Sequence, residues 1–331
     1  MGMKTGLLLV NLGSPSQPTT KATRKYLFQF LHDKRVIELS RWLWCPILHG
    51  IILRVRPKRS AANYAKTWRK LDDGSFAPAS PLVEMTQKQA ALLHSRMPDI
   101  AVETAMRYGE PSIRSGLESL RDQGCGRIAI LPLYPQFACA TTASVGDEVA
   151  RVFKTWRDIP QLRSLRDYHD DSGYIRALAD SLKAHVSGLK TQPDRVLVSF
   201  HGLPKSSSDL GDPYESECRR TFDLLQRACA DIDVPLQLTF QSRFGPKEWL
   251  SPYTLTTLLE MPGQGEKNAC VIAPGFPADC LETQEEISME AREEFIEAGG
   301  ETFSVVPCLN DSEAHIDVLE NIVRTELLVG W

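Results

Sequence analysis

The chain has 331 residues, 42% of them apolar and 24% charged, with a net charge of −4 at pH 7. That length suits two domains, and the composition is that of an ordinary globular protein rather than a basic nucleic-acid binder. Eight scattered cysteines with no Cys-x-x-Cys pair exclude a zinc ribbon and a dense disulfide framework, so reduced thiols and a cytoplasmic setting are expected.

The first apolar run, residues 7–10, is too short for a signal-peptide core and reads as a buried strand over 7–11, closed by Leu12-Gly13-Ser14-Pro15. The longest apolar run, residues 42–53, is about a dozen residues and holds Pro46 and Gly50, well short of the ~20 that span a bilayer. Further strands are predicted over 101–107, 127–133, 196–200, 237–241, 269–273 and 302–306, each followed by a turn-forming cluster. Strands alternating with helical patterns predict an α/β fold of parallel sheets wrapped by helices. Two similar halves are expected: a lobe over 1–160, a second over 161–311, and a helix over 312–328 with Asn310, Asp311 and Ser312 suited to its N-cap. The break falls where Ile159-Pro160 interrupts a helical stretch. Gly124-Cys-Gly126-Arg-Ile-Ala129 fits a dinucleotide fingerprint in letters, but it precedes a strand instead of following one. It is therefore read as a helix-ending glycine turn.

Two stretches carry candidate chemistry. In Val196-Leu-Val-Ser-Phe-His-Gly-Leu-Pro204 a strand stops at His201, at the carboxyl end where open α/β sheets bind ligands. The competing reading is a hydrogen-bonded histidine in a tight turn. In Pro274-Gly-Phe-Pro-Ala-Asp-Cys-Leu-Glu-Thr-Gln-Glu-Glu-Ile287 a strand ends and a helix is predicted to begin near Asp279. Glu282, Glu286 and Glu290 then recur four apart along one face. Such a row is often a solvated face, and Glu290 fits that description best. An imidazole and a carboxylate facing one cleft could bind a divalent metal or accept protons.

Taken together, Ser199-Phe-His-Gly-Leu-Pro204, Gly211-Asp-Pro-Tyr214, Phe240-Gln-Ser-Arg-Phe-Gly245, Trp249-Leu-Ser-Pro-Tyr-Thr254 and Pro274-Gly-Phe…Asp-Cys-Leu-Glu-Thr283 resemble the ferrochelatases, most closely those of proteobacteria. Asn11-Leu-Gly-Ser-Pro15, Ser80-Pro-Leu82, Arg107-Tyr-Gly109 and Leu131-Pro-Leu-Tyr-Pro-Gln136 extend the resemblance over nearly the whole chain. It implies two Rossmann-like lobes, each with a four-stranded parallel sheet, and a C-terminal helix packed back on the first lobe. It implies insertion of Fe²⁺ into protoporphyrin IX, with the porphyrin in the cleft between the lobes. His201 and Glu282 then correspond to the metal ligands and catalytic pair, and Glu286 to a step on a proton or metal path.

The resemblance also places Leu12, Tyr134, Trp249 and Phe276 on the porphyrin wall, and Arg54, Arg56, Ser80 and Arg107 near its propionates. It implies a hydrophobic lip over 28–53 that touches a membrane surface peripherally, and a monomer or weak dimer. Some ferrochelatases carry a [2Fe–2S] cluster on four cysteines. No cysteine follows Cys308 here, so no cluster and no permanent cofactor are expected, Fe²⁺ being a substrate. A chelatase acting on coproporphyrin III or inserting cobalt, and a non-catalytic porphyrin carrier, remain the rival readings.

Overall fold

The computed structural model describes residues 3–331. Among these, eight strands alternate with helices: β1 (Lys4–Gly13), β2 (Ala101–Tyr108), β3 (Cys125–Pro132), β4 (Gln161–Ser164), β5 (Arg195–His201), β6 (Leu236–Gln241), β7 (Asn268–Ile272) and β8 (Thr302–Val305). They build two four-stranded sheets, ordered β2-β1-β3-β4 and β6-β5-β7-β8. Every pairing is parallel, as the strand–helix alternation predicts. A central strand of such a sheet is covered on both faces, so its residues need not alternate. Leu7, Leu8, Leu9 and Val10 of β1 are all fully buried, as are Val196, Leu197, Val198 and Phe200 of β5.

The chain forms two compact units. One comprises residues 1–133, 138–167 and 319–331, and the other residues 134–137 and 168–318. The boundary after residue 160 therefore moves. Gln161-Leu-Arg-Ser pairs with β3 from Arg127↔Gln161 to Ile130↔Ser164 and completes the first sheet. This edge strand is short and mostly exposed, so no apolar pattern marks it in the sequence. The terminal helix is divided between the units, with residues up to 318 in the second and those from 319 in the first. It runs as an α-helix over Glu313–Ile322 and widens into π-helical turns over Val323–Leu327. Ser312 caps it by accepting from the His315 N–H at 3.3 Å. Within the first unit, Arg163 donates to the Leu327 carbonyl at 3.0 Å, and Arg96 pairs with Glu320 at 3.4 Å.

Gly124, at φ +80°, ends the helix Ile113–Asp122 and donates its N–H to the Arg121 carbonyl, so the false fingerprint is the predicted turn. Gly13 closes β1 at φ +99°, where a Cβ would lie 1.9 Å from the Tyr108 carbonyl oxygen. Only glycine avoids both the backbone strain and the clash. Gly13→Ala is expected to cost about 3 kcal/mol or more in chemical denaturation; a loss below about 1 kcal/mol would show that the strand ends separate freely.

The apolar stretch after residue 27 divides its residues between two environments. Tyr26, Leu27, Leu31, Trp44, Leu48 and Leu53 form a buried cluster with Tyr108, and the Trp44 indole donates to the Leu31 carbonyl at 2.8 Å. Trp42 is 91% exposed, and Leu43, Ile51 and Val55 are also exposed. No described helix is long and apolar enough to cross a membrane.

Candidate active site

The order of the second sheet reverses between β5 and β7. At such a reversal the crossover connections diverge, leaving a crevice at the carboxyl ends of the strands. His201 is the last residue of β5, and Pro274-Gly275-Phe276 lies just past the end of β7. The two ends meet: the Phe276 ring sits edge-on to the imidazole, centroids 6.2 Å apart and planes at 74°.

The strand below His201 is built to hold it. The Gly202 N–H donates to the Gln241 carbonyl at 2.8 Å. A Cβ at Gly202 would lie 2.6 Å from that oxygen and 3.2 Å from the Trp249 ring, so glycine lets the indole close over the strand end. Beneath runs a buried polar seam. The Ser199 hydroxyl donates to Gln241 Oε1 at 2.9 Å, Ser199 and Thr254 hydroxyls lie 2.8 Å apart, and Thr254 donates to Thr239 at 2.9 Å. The Tyr214 hydroxyl reaches the His201 backbone. Burial pulls the His201 pKa below its ordinary value, while the nearby charge of Glu282 works the other way. Burial dominates, so the imidazole is neutral at neutral pH.

Glu282 opens a ten-residue π-helical stretch, Glu282–Ala291, which continues as the α-helix Arg292–Glu297. The helix expected from about residue 279 starts later because residues 279–283 pin one another. The Thr283 hydroxyl donates to Asp279 Oδ1 at 2.9 Å and accepts the Cys280 N–H at 3.0 Å. The wider turn has no signature in the sequence, although π-helical turns gather at functional sites. Of the acidic row, Glu290 is exposed, as a solvated face would be, whereas Glu282 and Glu286 are partly buried.

Glu286 accepts two hydrogen bonds from Ser242, from its N–H at 2.7 Å and its hydroxyl at 2.6 Å. Burial nevertheless pushes its carboxyl pKa up to about 7; the Ser242 bonds oppose the rise and the charges of Glu282 and Glu290 add to it. The folded chain thus binds this proton more tightly than the unfolded one. The stability the group contributes is complete below about pH 4.5 and is lost as pH rises through about 7. Glu286→Gln, which mimics the neutral form, should therefore gain stability relative to the parent as pH rises over that window. A pH-independent difference in denaturation midpoints would refute the raised pKa.

The remaining expected residues divide. Phe276 lies against His201, Trp249 lies against the adjacent Gly202, and Tyr134 is a partly buried member of the same unit. In the first unit, Leu12 lies at the end of β1 against the buried cluster around Trp44. Arg54 and Arg56 are exposed on the helix Leu53–Thr67. Ser80 is 3% exposed and is the N-cap of the helix Pro81–Arg96, accepting from the Val83 N–H at 3.2 Å. Its second bond is with Ser14, so its oxygen serves the fold.

Arg107 is likewise committed. It is ion-paired to Asp33, donates to the Ser144 carbonyl at 2.9 Å, and lies 4.5 Å over the Tyr108 ring. Burial alone would raise the Asp33 pKa, but bonds from Ser144, the Arg35 N–H and Tyr108, with the Arg107 charge, hold it below the usual range. Reading the sequence missed Ser242, Gln241 and Asp33 as partners. The first two lie inside a quoted motif, but nothing in the letters says what they touch.

The comparisons with known proteins identify the family. The sequence profile of the Ferrochelatase family matches residues 4–327. The chain is 49% identical over 326 residues to a ferrochelatase of Azoarcus sp., covering 98% of this chain and 88% of that one. It is 47% identical over 331 residues to one of Rhizobium etli, covering 99% and 94%. This chain belongs to the ferrochelatase family. With that membership comes the enzyme class expected from the motifs, a metal chelatase of haem synthesis. Among solved structures, the fold resembles SirB from Bacillus subtilis with Fe³⁺, at TM-score 0.55 and 15% identity over 97% of this chain and 95% of that one. The sirohydrochlorin chelatase SirB in complex with cobalt, from the subspecies spizizenii, gives 0.53. At such identity the likeness speaks for the fold alone: two Rossmann-like lobes of the chelatase type.

Proposed function

We propose that this ferrochelatase inserts Fe²⁺ into protoporphyrin IX with release of two protons, and that His201 and Glu282 carry the reaction. The observation supporting this most directly is the place of His201 at the end of β5, with the Phe276 ring edge-on to its imidazole and Glu282 within electrostatic reach. A free porphyrin holds two N–H protons in a flat ring, so metal enters only as protons leave. A neutral imidazole can accept one of them or ligate the incoming ion. Glu282 offsets the ion's charge, and Glu286 lies one step further along the same helix face. Phe276 and Trp249 supply the aromatic wall that a large apolar disc needs. On this reading Tyr134, a member of the same unit, adds to that wall.

The deciding experiment is anaerobic metal insertion, comparing Fe²⁺ with Co²⁺ and protoporphyrin IX with coproporphyrin III and sirohydrochlorin. Multiple turnovers with Fe²⁺ and protoporphyrin IX are expected. Faster reaction of coproporphyrin III or of Co²⁺ with sirohydrochlorin would transfer the assignment to a related chelatase, and one metal per protein would leave a carrier.

The proposal extends to setting and cofactor. The chain acts in the cytoplasm as a monomer or weak dimer, touching a membrane surface through the exposed Trp42, Leu43, Ile51 and Val55. It holds no permanent cofactor. Buried thiols such as Cys218 and Cys270 lie within the second unit's fold, whereas Cys139 accepts a hydrogen bond from Arg35 in the first at 3.4 Å. The purified protein should therefore lack iron–sulfur absorption in the visible spectrum; its presence would overturn this part.

A further inference from the structure

Just past β6, Ser242 turns into the left-handed region at φ +63°. A residue with a Cβ occupies that region rarely, and persists there only when its surroundings fix it. What the turn achieves is visible in its bonds. The backbone N–H reaches one oxygen of Glu286 and the hydroxyl reaches the other, at 2.7 and 2.6 Å. One residue thus holds both carboxylate oxygens.

The charged groups around this carboxylate make such an anchor necessary. Glu282 and Glu290 on its own helix both repel it. His201, at the end of β5, interacts with Glu282. Arg243, the next residue along from Ser242, lies over the Tyr253 ring at 4.6 Å. Glu286 is partly buried, and its repulsion from Glu282 favours any rotamer that turns it away from the row.

We propose that Ser242 is a positioning residue for metal insertion, fixing the Glu286 carboxylate in line behind Glu282. The inference rests on the function proposed for His201 and Glu282. Its physical basis is that both donors are neutral. A lysine or arginine at this place would fix the carboxylate equally well, but would neutralise it and repel an approaching divalent cation. A serine in the left-handed conformation fixes the direction of the carboxylate and leaves its charge available to the ion or proton passing along the row.

The test compares Ser242→Ala, which removes the hydroxyl, with Ser242→Asn, which tolerates the left-handed conformation and restores a side-chain donor. The alanine variant should lose about tenfold in kcat with its porphyrin KM within about twofold of the parent, and the asparagine variant should recover most of that loss. Combining Ser242→Ala with Glu286→Gln should be no worse than Glu286→Gln alone, because the serine acts through the glutamate. Parental kcat in the alanine variant, losses that add in the double variant, or a change confined to porphyrin KM would each overturn the proposal. A crystal structure of the alanine variant separates this idea from the reaction itself. A displaced Glu286 carboxylate supports the clamp even if no porphyrin turns over, and an unmoved one refutes it even in an active enzyme.

Discussion

His201→Ala should abolish metal insertion, lowering kcat by about 10³-fold or more, while porphyrin still binds. A loss of that size corresponds to about 4 kcal/mol of transition-state stabilisation. It is expected because the proposed step, taking a pyrrole proton or ligating the ion, needs the lone pair of one imidazole nitrogen. Alanine removes that nitrogen and leaves the aromatic wall of Phe276 and Trp249 in place. Porphyrin affinity, read by fluorescence quenching, should change by no more than a few-fold, and thermal unfolding should show an intact fold. Parental turnover in this variant would remove His201 from the mechanism. The parent carries a corollary in pH. Since burial lowers the His201 pKa below its ordinary 6.5, its contribution to the acid limb of the kcat/KM profile should fall below that pH.

Glu282→Gln should lose about 10²-fold in kcat. The exchange keeps the side chain's size and its place at the start of the π-helical stretch, and removes only the negative charge. That charge has two proposed effects. It attracts the incoming Fe²⁺, and it stabilises the imidazolium formed when His201 accepts a proton. The loss should accordingly appear in kcat and in the KM for iron, and little in the KM for porphyrin. The charge also favours the protonated form of His201 in the resting protein, so its removal should move the acid limb further down in pH. An unchanged kcat would exclude Glu282 from the reaction, and an acid limb moving upward would contradict its electrostatic contact with His201.

Much of this was legible in the letters. Unbroken apolar runs such as Leu7-Leu-Leu-Val10 signalled strands covered on both faces, and they are the buried centres of the sheets. The ends of β5 and β7 stood out as candidate site positions because ligands in this architecture bind at the carboxyl ends of the strands. What a motif's letters do not record is the partner of each side chain. Ser-Pro at the head of an apolar pattern is a helix-start signal, and Ser80 is the buried N-cap of that helix. Arg107 pairs with Asp33, 74 positions away, which no local pattern announces.

Composition, hydrophobic pattern and motif order by themselves determined the α/β class, the parallel sheets, the family, and His201 and Glu282 as the pair to examine. These are properties of local periodicity and of long motifs, which a linear sequence records directly. Only the tertiary structure decided that 161–164 joins the first sheet, that the acidic helix opens in π-helical turns, and that Ser242 grips Glu286 across 44 residues of chain. Each of these depends on a pairing between distant segments, whose energy lies in bonds and desolvation that form only once the chain has closed on itself.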